Sequence, residues 1–190
     1  MKRIIFFGSI GITILVTFGL IIFSQIAMSA DKDTMSDKDM KMMAMDFGGK
    51  EDVTFANDIW KEMKDYDKWL MKSDVLVGHS PHGAFVRLYY NIVSLNNKPY
   101  HVIIKDNYGG EDATLEKVSQ SPDKYFMGAT VMIQREAGYD KKNNDWFWVK
   151  YDKDGASKMN EMAIAGKVGM CIDCHVKAKG NDYIFSNDPK

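Results

Sequence analysis

Residues 83–106 read GAFVRLYYNIVSLNNKPYHVIIKD, two apolar runs separated by a short polar one. The first, GAFVRLYYNIVSL (83–95), and the second, YHVIIKD (100–106), are rich in β-branched and aromatic residues. Such runs read as strands. Between them NNKP (96–99) supplies turn formers, so the two make an antiparallel hairpin. Side chains alternate along a strand. His101, Ile103 and Lys105 therefore share one face, and Val102, Ile104 and Asp106 the other.

The pattern extends in both directions. ATVMIQRE (129–136) predicts a third strand and DWFWVKYD (145–152) a fourth, separated by the turn-forming AGYDKKNN (137–144). KDG (153–155) closes the series, and 157–168 predicts a helix of weak periodicity leading to Gly169. Upstream, Phe55, Ile59, Met63, Tyr66 and Leu70 recur at helical spacing, flanked by Trp60 and Trp69. They predict a helix from Thr54, with Thr54 or Asn57 as its cap. The expected fold is α+β: a mainly antiparallel sheet with an N-terminal helix and a short helical C-terminal segment.

The N-terminus predicts export. Lys2 and Arg3 precede the uncharged run 4–23, and Ala27 and Ser29 fit a small-residue cleavage site. The run is also long enough to span a bilayer, so residues 1–29 are a signal peptide or an uncleaved anchor. Residues 30–53 read as a polar linker. Its Met35, Met40, Met42, Met43 and Met45 could bind Cu(I), although no His or Cys accompanies them. Residues 54–190 form the functional domain.

Removing Lys2 and Arg3 takes the formal net charge from −1 to −3, which excludes the basic footprint of a nucleic-acid binder. Two cysteines are too few for a disulfide scaffold. Both lie in MCIDCH (170–175). A redox dithiol belongs just after a strand in a βαβ unit, and no such unit precedes it. A structural zinc needs four ligands. Cys171, Cys174 and His175 supply three at most, with His79, His82 or His101 as an unsupported fourth. The C-x-x-C-H spacing matches c-type haem attachment, with Cys171 and Cys174 as thioethers and His175 as proximal iron ligand. Export agrees, since that chemistry takes place outside the bacterial cytoplasm. One covalent haem c is the expected cofactor.

Function then depends on the other side of the iron. His79 and His82, in GHSPHG (78–83), read as structural or exposed loop residues. By pattern alone, Lys105 reads first as a solvated strand end and second as a haem-contacting group.

The chain resembles the cytochrome P-460 family of small periplasmic c-type cytochromes. The resemblance rests on an ordered set of motifs: HGAFVRLYYN (82–91), VIIKDN (102–107), YFMG (125–128), GYDKKNNDWFWVKYDKDG (138–155), GKVGMCIDCH (166–175) and DYIF (182–185). It implies a mainly antiparallel fold that commonly forms homodimers. It also implies oxidation of hydroxylamine or a similar small nitrogen compound at an open iron, with electrons leaving to an acceptor cytochrome. In hydroxylamine-oxidising members a strand lysine bonds to the haem edge, and Lys105 falls on that position. A distal carboxylate accepts protons in those members. Here the corresponding position is Gln134, a neutral amide and no general base, with Glu136 two residues on. Relatives of the cytochrome c′-beta kind bind NO or CO in an apolar pocket, which Phe126, Met127 or Met132 could line. A six-coordinate electron-transfer cytochrome is the third expectation.

Overall fold

The computed structural model describes residues 47–152, 155–156, 158–159, 162–180 and 182–185. The expected signal or anchor (1–29) and residues 30–46 of the expected linker lie outside the described residues. Among the described residues, no helix is long and apolar enough to cross a membrane.

The hairpin forms as expected, as strands β2 (Phe85–Leu95) and β3 (Lys98–Tyr108). Asn96 and Asn97 take φ of 52° and 60°, the left-handed pair that a two-residue hairpin turn demands. Strand β3 thus begins two residues before the expected Tyr100 and includes Pro99. Proline is tolerated there because β3 pairs with the next strand only from His101 onward, leaving no ladder bond on that side to lose. Strands β4 (Phe126–Gln134) and β5 (Trp146–Asp152) continue the antiparallel order, and β1 (Leu76–Val77) adds to β2 at the far edge. Two short helices, α2 (Leu115–Gln120) and α3 (Pro122–Tyr125), bridge β3 and β4. Their start signals are a Thr114 cap that accepts from the Lys117 N–H and proline at the first position of α3.

Helix α1 (Lys50–Glu62) starts four residues before the expected Thr54. Its first turn is held by Glu51 and Asp52, whose charges suit a helix N-terminus, rather than by apolar periodicity. Thr54 is interior, its hydroxyl donating to the Lys50 carbonyl at 2.8 Å. The expected linker therefore ends early, since Phe47 is buried and bridges Gly166. The predicted apolar stripe also stops early. The chain leaves the α-helix at Met63, makes one 3₁₀ turn (Tyr66–Lys68), and leaves Leu70 99% exposed.

Residues 157–168 do not form the expected helix. Their described part holds β7 (Lys158–Met159), β8 (Met162–Ala163) and β9 (Ala165–Gly166), preceded by β6 (Gly155–Ala156). Strands β6 and β9 pair with successive parts of β5, which would otherwise leave an open edge. Tertiary pairing overrides the modest helical preference of Ala, Met and Lys. The chain then closes with α4 (Gly169–His175), the expected short helix. The α+β expectation holds.

The sheet has two differently used faces. Ala56 and Ile59 of α1, with Met63 just after it, pack on Tyr89, Val93, Val102, Ile104, Val131 and Phe147 to make the main core. Asp106 is on this side, as the alternation predicts. It is buried and accepts from the Tyr66 hydroxyl at 2.7 Å and the Tyr108 hydroxyl at 2.9 Å. The opposite face carries Ile103, Lys105, Thr130, Met132 and Trp148, and faces α4.

Candidate functional site

Between that second face and α4 lies a cavity of about 820 Å³. Its floor is Val86, Leu88, Ile103, Thr130, Met132 and Trp148; one wall is Cys171, Cys174 and His175 of α4; another is β1 with the loop 78–82 that follows it. Ile184 and Phe185 close it from the C-terminal side.

The helix turn brings Cys171 and His175, four residues apart, to the same face. Both cysteines are free, Cys171 half-buried and Cys174 exposed. His175 Nδ1 lies 2.7 Å from the Tyr183 carbonyl oxygen. A carbonyl only accepts, so Nδ1 carries the proton and Nε2 keeps its lone pair for a metal. Burial pulls the His175 pKa down, partly offset by that hydrogen bond. The ring packs against Trp148 at 4.7 Å and Phe185 at 5.3 Å between centroids.

Lys105 projects into the cavity and is half-buried there. Burial lowers its pKa to about 8, the Cys171 thiol acting in the opposite direction. Burial pushes the Cys171 thiol up to about 11, with Lys105 opposing. A half-buried amine that sheds its proton this readily is nucleophilic.

The lining fits a haem on three independent counts. It is mostly apolar. It contains Lys105, Lys150 and Lys177 but no carboxylate among the described residues, which suits a ligand bearing propionates. The Trp148 indole N–H is buried and finds no acceptor among the described residues, a donor waiting for a ligand oxygen. Zinc does not gain similar support, because no cluster of three or more potential metal-ligating residues occurs among the described ones.

The structure does not bring every expected residue to this cavity. Gln134 is exposed at the end of β4 and lines an adjoining groove with His101, Asp145 and Trp146, which shares Ile103 and Ile184 with the cavity. Strand β4 ends at Gln134, so the two-residue alternation does not carry on to Glu136. Glu136 instead takes a two-point bond from Arg135, at 2.9 and 3.0 Å, and Arg135 stacks on Phe55 from the α1 side. Arg135 holds the Glu136 carboxyl down at about 2. Of the apolar candidates, Met132 lines the cavity; Met127 is exposed and Phe126 packs near Tyr108.

His79 and His82, expected as ordinary loop residues, both line the cavity. His82 is half-buried, and its ring centre is 6.2 Å from that of His175, with the planes at 82°. Burial lowers its pKa to about 4, helped by Lys105, His175 and Lys150, so the imidazole is neutral near pH 7. The available sequence signal was its position just ahead of β2, which fixes the loop over the sheet face.

Comparison with known proteins supplies one finding. The family model described as cytochrome P-460 matches residues 63–186, a span that contains all the motifs quoted above. No curated protein and no solved structure matches the chain.

Proposed function

Because this chain belongs to the cytochrome P-460 family, and is thus a haem-binding cytochrome, we propose that it carries one covalent haem c in the periplasm and oxidises hydroxylamine or a similar small nitrogen compound. The observation that carries this reading is the convergence of Cys171, Cys174, His175 and Lys105 on one haem-sized cavity. The haem supplies one-electron redox chemistry at its iron. Cys171 and Cys174 hold it as thioethers. His175 binds the iron through Nε2, oriented by the Tyr183 carbonyl. Lys105, its pKa lowered to about 8 by burial, offers more free amine near neutral pH than an ordinary lysine for the second tether. That bond replaces one N–H and one haem C–H, a two-electron oxidation that takes a peroxide-class oxidant. Trp148 and the cavity lysines receive the haem's polar edge.

A second reading, binding of NO or CO without turnover, is favoured by the mostly apolar lining and its lack of a carboxylate among the described residues. Neither Gln134 nor Glu136 is placed to accept a substrate proton. In the oxidase reading that role falls to an imidazole of the 78–82 loop. The proposed partners are an electron-acceptor cytochrome and a second copy of the chain.

Hydroxylamine-dependent reduction of an acceptor cytochrome by the purified holoprotein tests the proposal. Sustained turnover supports the oxidase. Tight NO binding without turnover moves the function to gas binding.

A further inference from the structure

We propose that the methionines of residues 40–45, together with Met162 of β8, form a thioether site for monovalent copper. The inference goes beyond the haem reading and does not depend on it, since Met162 is not among the residues lining the haem-sized cavity.

The composition of the segment gives the chemistry. Between residues 30 and 46 every apolar side chain larger than alanine is a methionine: Met35, Met40, Met42, Met43 and Met45. A stretch that needed only apolar contact would be served equally by Leu, Ile or Val, and it has none. Four of the five fall within MKMMAM (40–45), a run without carboxylate, imidazole or thiol. What they share is a soft, uncharged sulfur. Calcium and magnesium require oxygen ligands, and zinc takes thiolate, imidazole or carboxylate. Thioethers select Cu(I).

The fold adds a methionine where this segment joins it. Phe47 bridges Gly166, and the Gly48 N–H donates to the Ala165 carbonyl at 2.6 Å, so the entry of the chain is fixed beside β8 and β9. Gly48 has φ of +75°, and a Cβ there would stand 2.5 Å from Met162 Cγ, 2.6 Å from the Ala163 carbonyl oxygen and 3.3 Å from Met162 Sδ. Gly48 thus lays bare backbone against the Met162 side chain, an approach open only to glycine. Met162 is half-buried, and its register partner in the β7–β8 ladder is Met159.

Chain length makes a joint site feasible. Met45 precedes Gly48 by three residues, a reach of at most about 11 Å at full extension. The run MKMMAM therefore starts its course within reach of a sulfur that the fold already holds. Copper shared between the two would fasten residues 40–45 to β8, so that metal binding and docking of the segment are one event.

The test is anaerobic equilibrium dialysis of the full-length protein against Cu(I), supplied as its acetonitrile complex, with bathocuproine disulfonate as competitor. Cys171 and Cys174 are bonded to haem or alkylated beforehand, so that neither thiol competes. Copper is counted in each chamber by mass spectrometry, and the bound metal's neighbours are read by X-ray absorption. The expected result is one copper per chain with sulfur neighbours. Changing Met40, Met42, Met43 and Met45 to Leu, which keeps volume and removes sulfur, should release it. Met159→Leu with Met162→Leu should weaken binding at least about tenfold, the smallest loss usual even for an outer partner of a metal site. Unchanged unfolding midpoints in both variants show that the fold is kept. A wild type that retains no copper overturns the proposal, as does copper retained by the fourfold variant. Full affinity in the Met159→Leu, Met162→Leu variant overturns the joint site and leaves the segment a binder on its own. Each readout is of copper alone, so the haem reading stands or falls separately.

Discussion

His175 Nδ1 lies 2.7 Å from the carbonyl oxygen of Tyr183, so the residue eight positions after the haem-motif histidine sets which ring nitrogen faces the cavity. Tyr183 reaches this place with φ of +66°, a backbone state that a bulky residue adopts only when its surroundings enforce it. The enforcing contacts are the Trp146 indole N–H donating to the Asp182 carbonyl at 3.0 Å, and the Asp182 carboxylate accepting from the Ile184 N–H at 2.9 Å. The DYIF motif is thus the outer support of the His175 ring.

Trp146→Phe removes the indole bond together with part of a buried ring system. It should destabilise the fold by about 1–2 kcal/mol, since the Asp182 carbonyl loses its partner in a part-buried site. It should also raise the reduction potential of the haem, because a weakened Nδ1–H bond makes His175 a poorer donor to ferric iron. Denaturant unfolding and potentiometric titration measure the two effects. Loss of stability with an unmoved potential would limit Trp146 to packing.

Lys105→Ala should leave the haem attached at Cys171 and Cys174 while abolishing hydroxylamine turnover and any broad, red-shifted Soret band. Lys105→Arg should behave as Lys105→Ala does, because a guanidinium keeps its proton at all accessible pH and offers no nucleophilic nitrogen. Spectra and turnover of both variants check this. Unchanged turnover in Lys105→Ala would remove the lysine tether from the mechanism.

Glu136, paired with Arg135 outside the cavity, should matter to stability and not to chemistry. Its folded pKa, about 2, lies below its ordinary 4.5. Its contribution is therefore fully present above pH 4.5 and disappears as the pH falls towards 2. The side chain is half exposed, so Glu136→Gln should cost no more than about 1 kcal/mol at pH 7. Urea midpoints of the variant and wild type should differ at pH 7 and coincide at pH 2. Turnover of Glu136→Gln and of Gln134→Ala should stay within about twofold of wild type, as changes away from the reacting groups usually do.

Much of this arrangement is legible in the residues. The hairpin and the four long strands follow from their β-branched and aromatic runs, and the opposed faces of Lys105 and Asp106 from the period-two geometry of a strand. Other features escaped because they depend on partners distant in the chain. Within the expected helix 157–168, β7 and β8 pair with each other and β9 pairs with β5, and the β9 contact is one that local composition does not encode. The start of α1 is set by acidic residues rather than by the apolar stripe, and β4 stops two residues before the alternation could reach Glu136. His82 is the instructive case. GHSPHG reads as a polar loop, and only its closure over the sheet face brings a loop histidine beside His175.

The account centres on one haem bonded to Cys171 and Cys174. The most direct test is the intact mass of the protein matured in an oxidising, haem-supplied compartment, after acidified-acetone extraction to strip any loosely held cofactor. The predicted result is a chain heavier by one haem, with the added mass lost when both cysteines are changed to alanine. A wild-type chain at its unmodified mass, with all haem in the extract, would contradict the account.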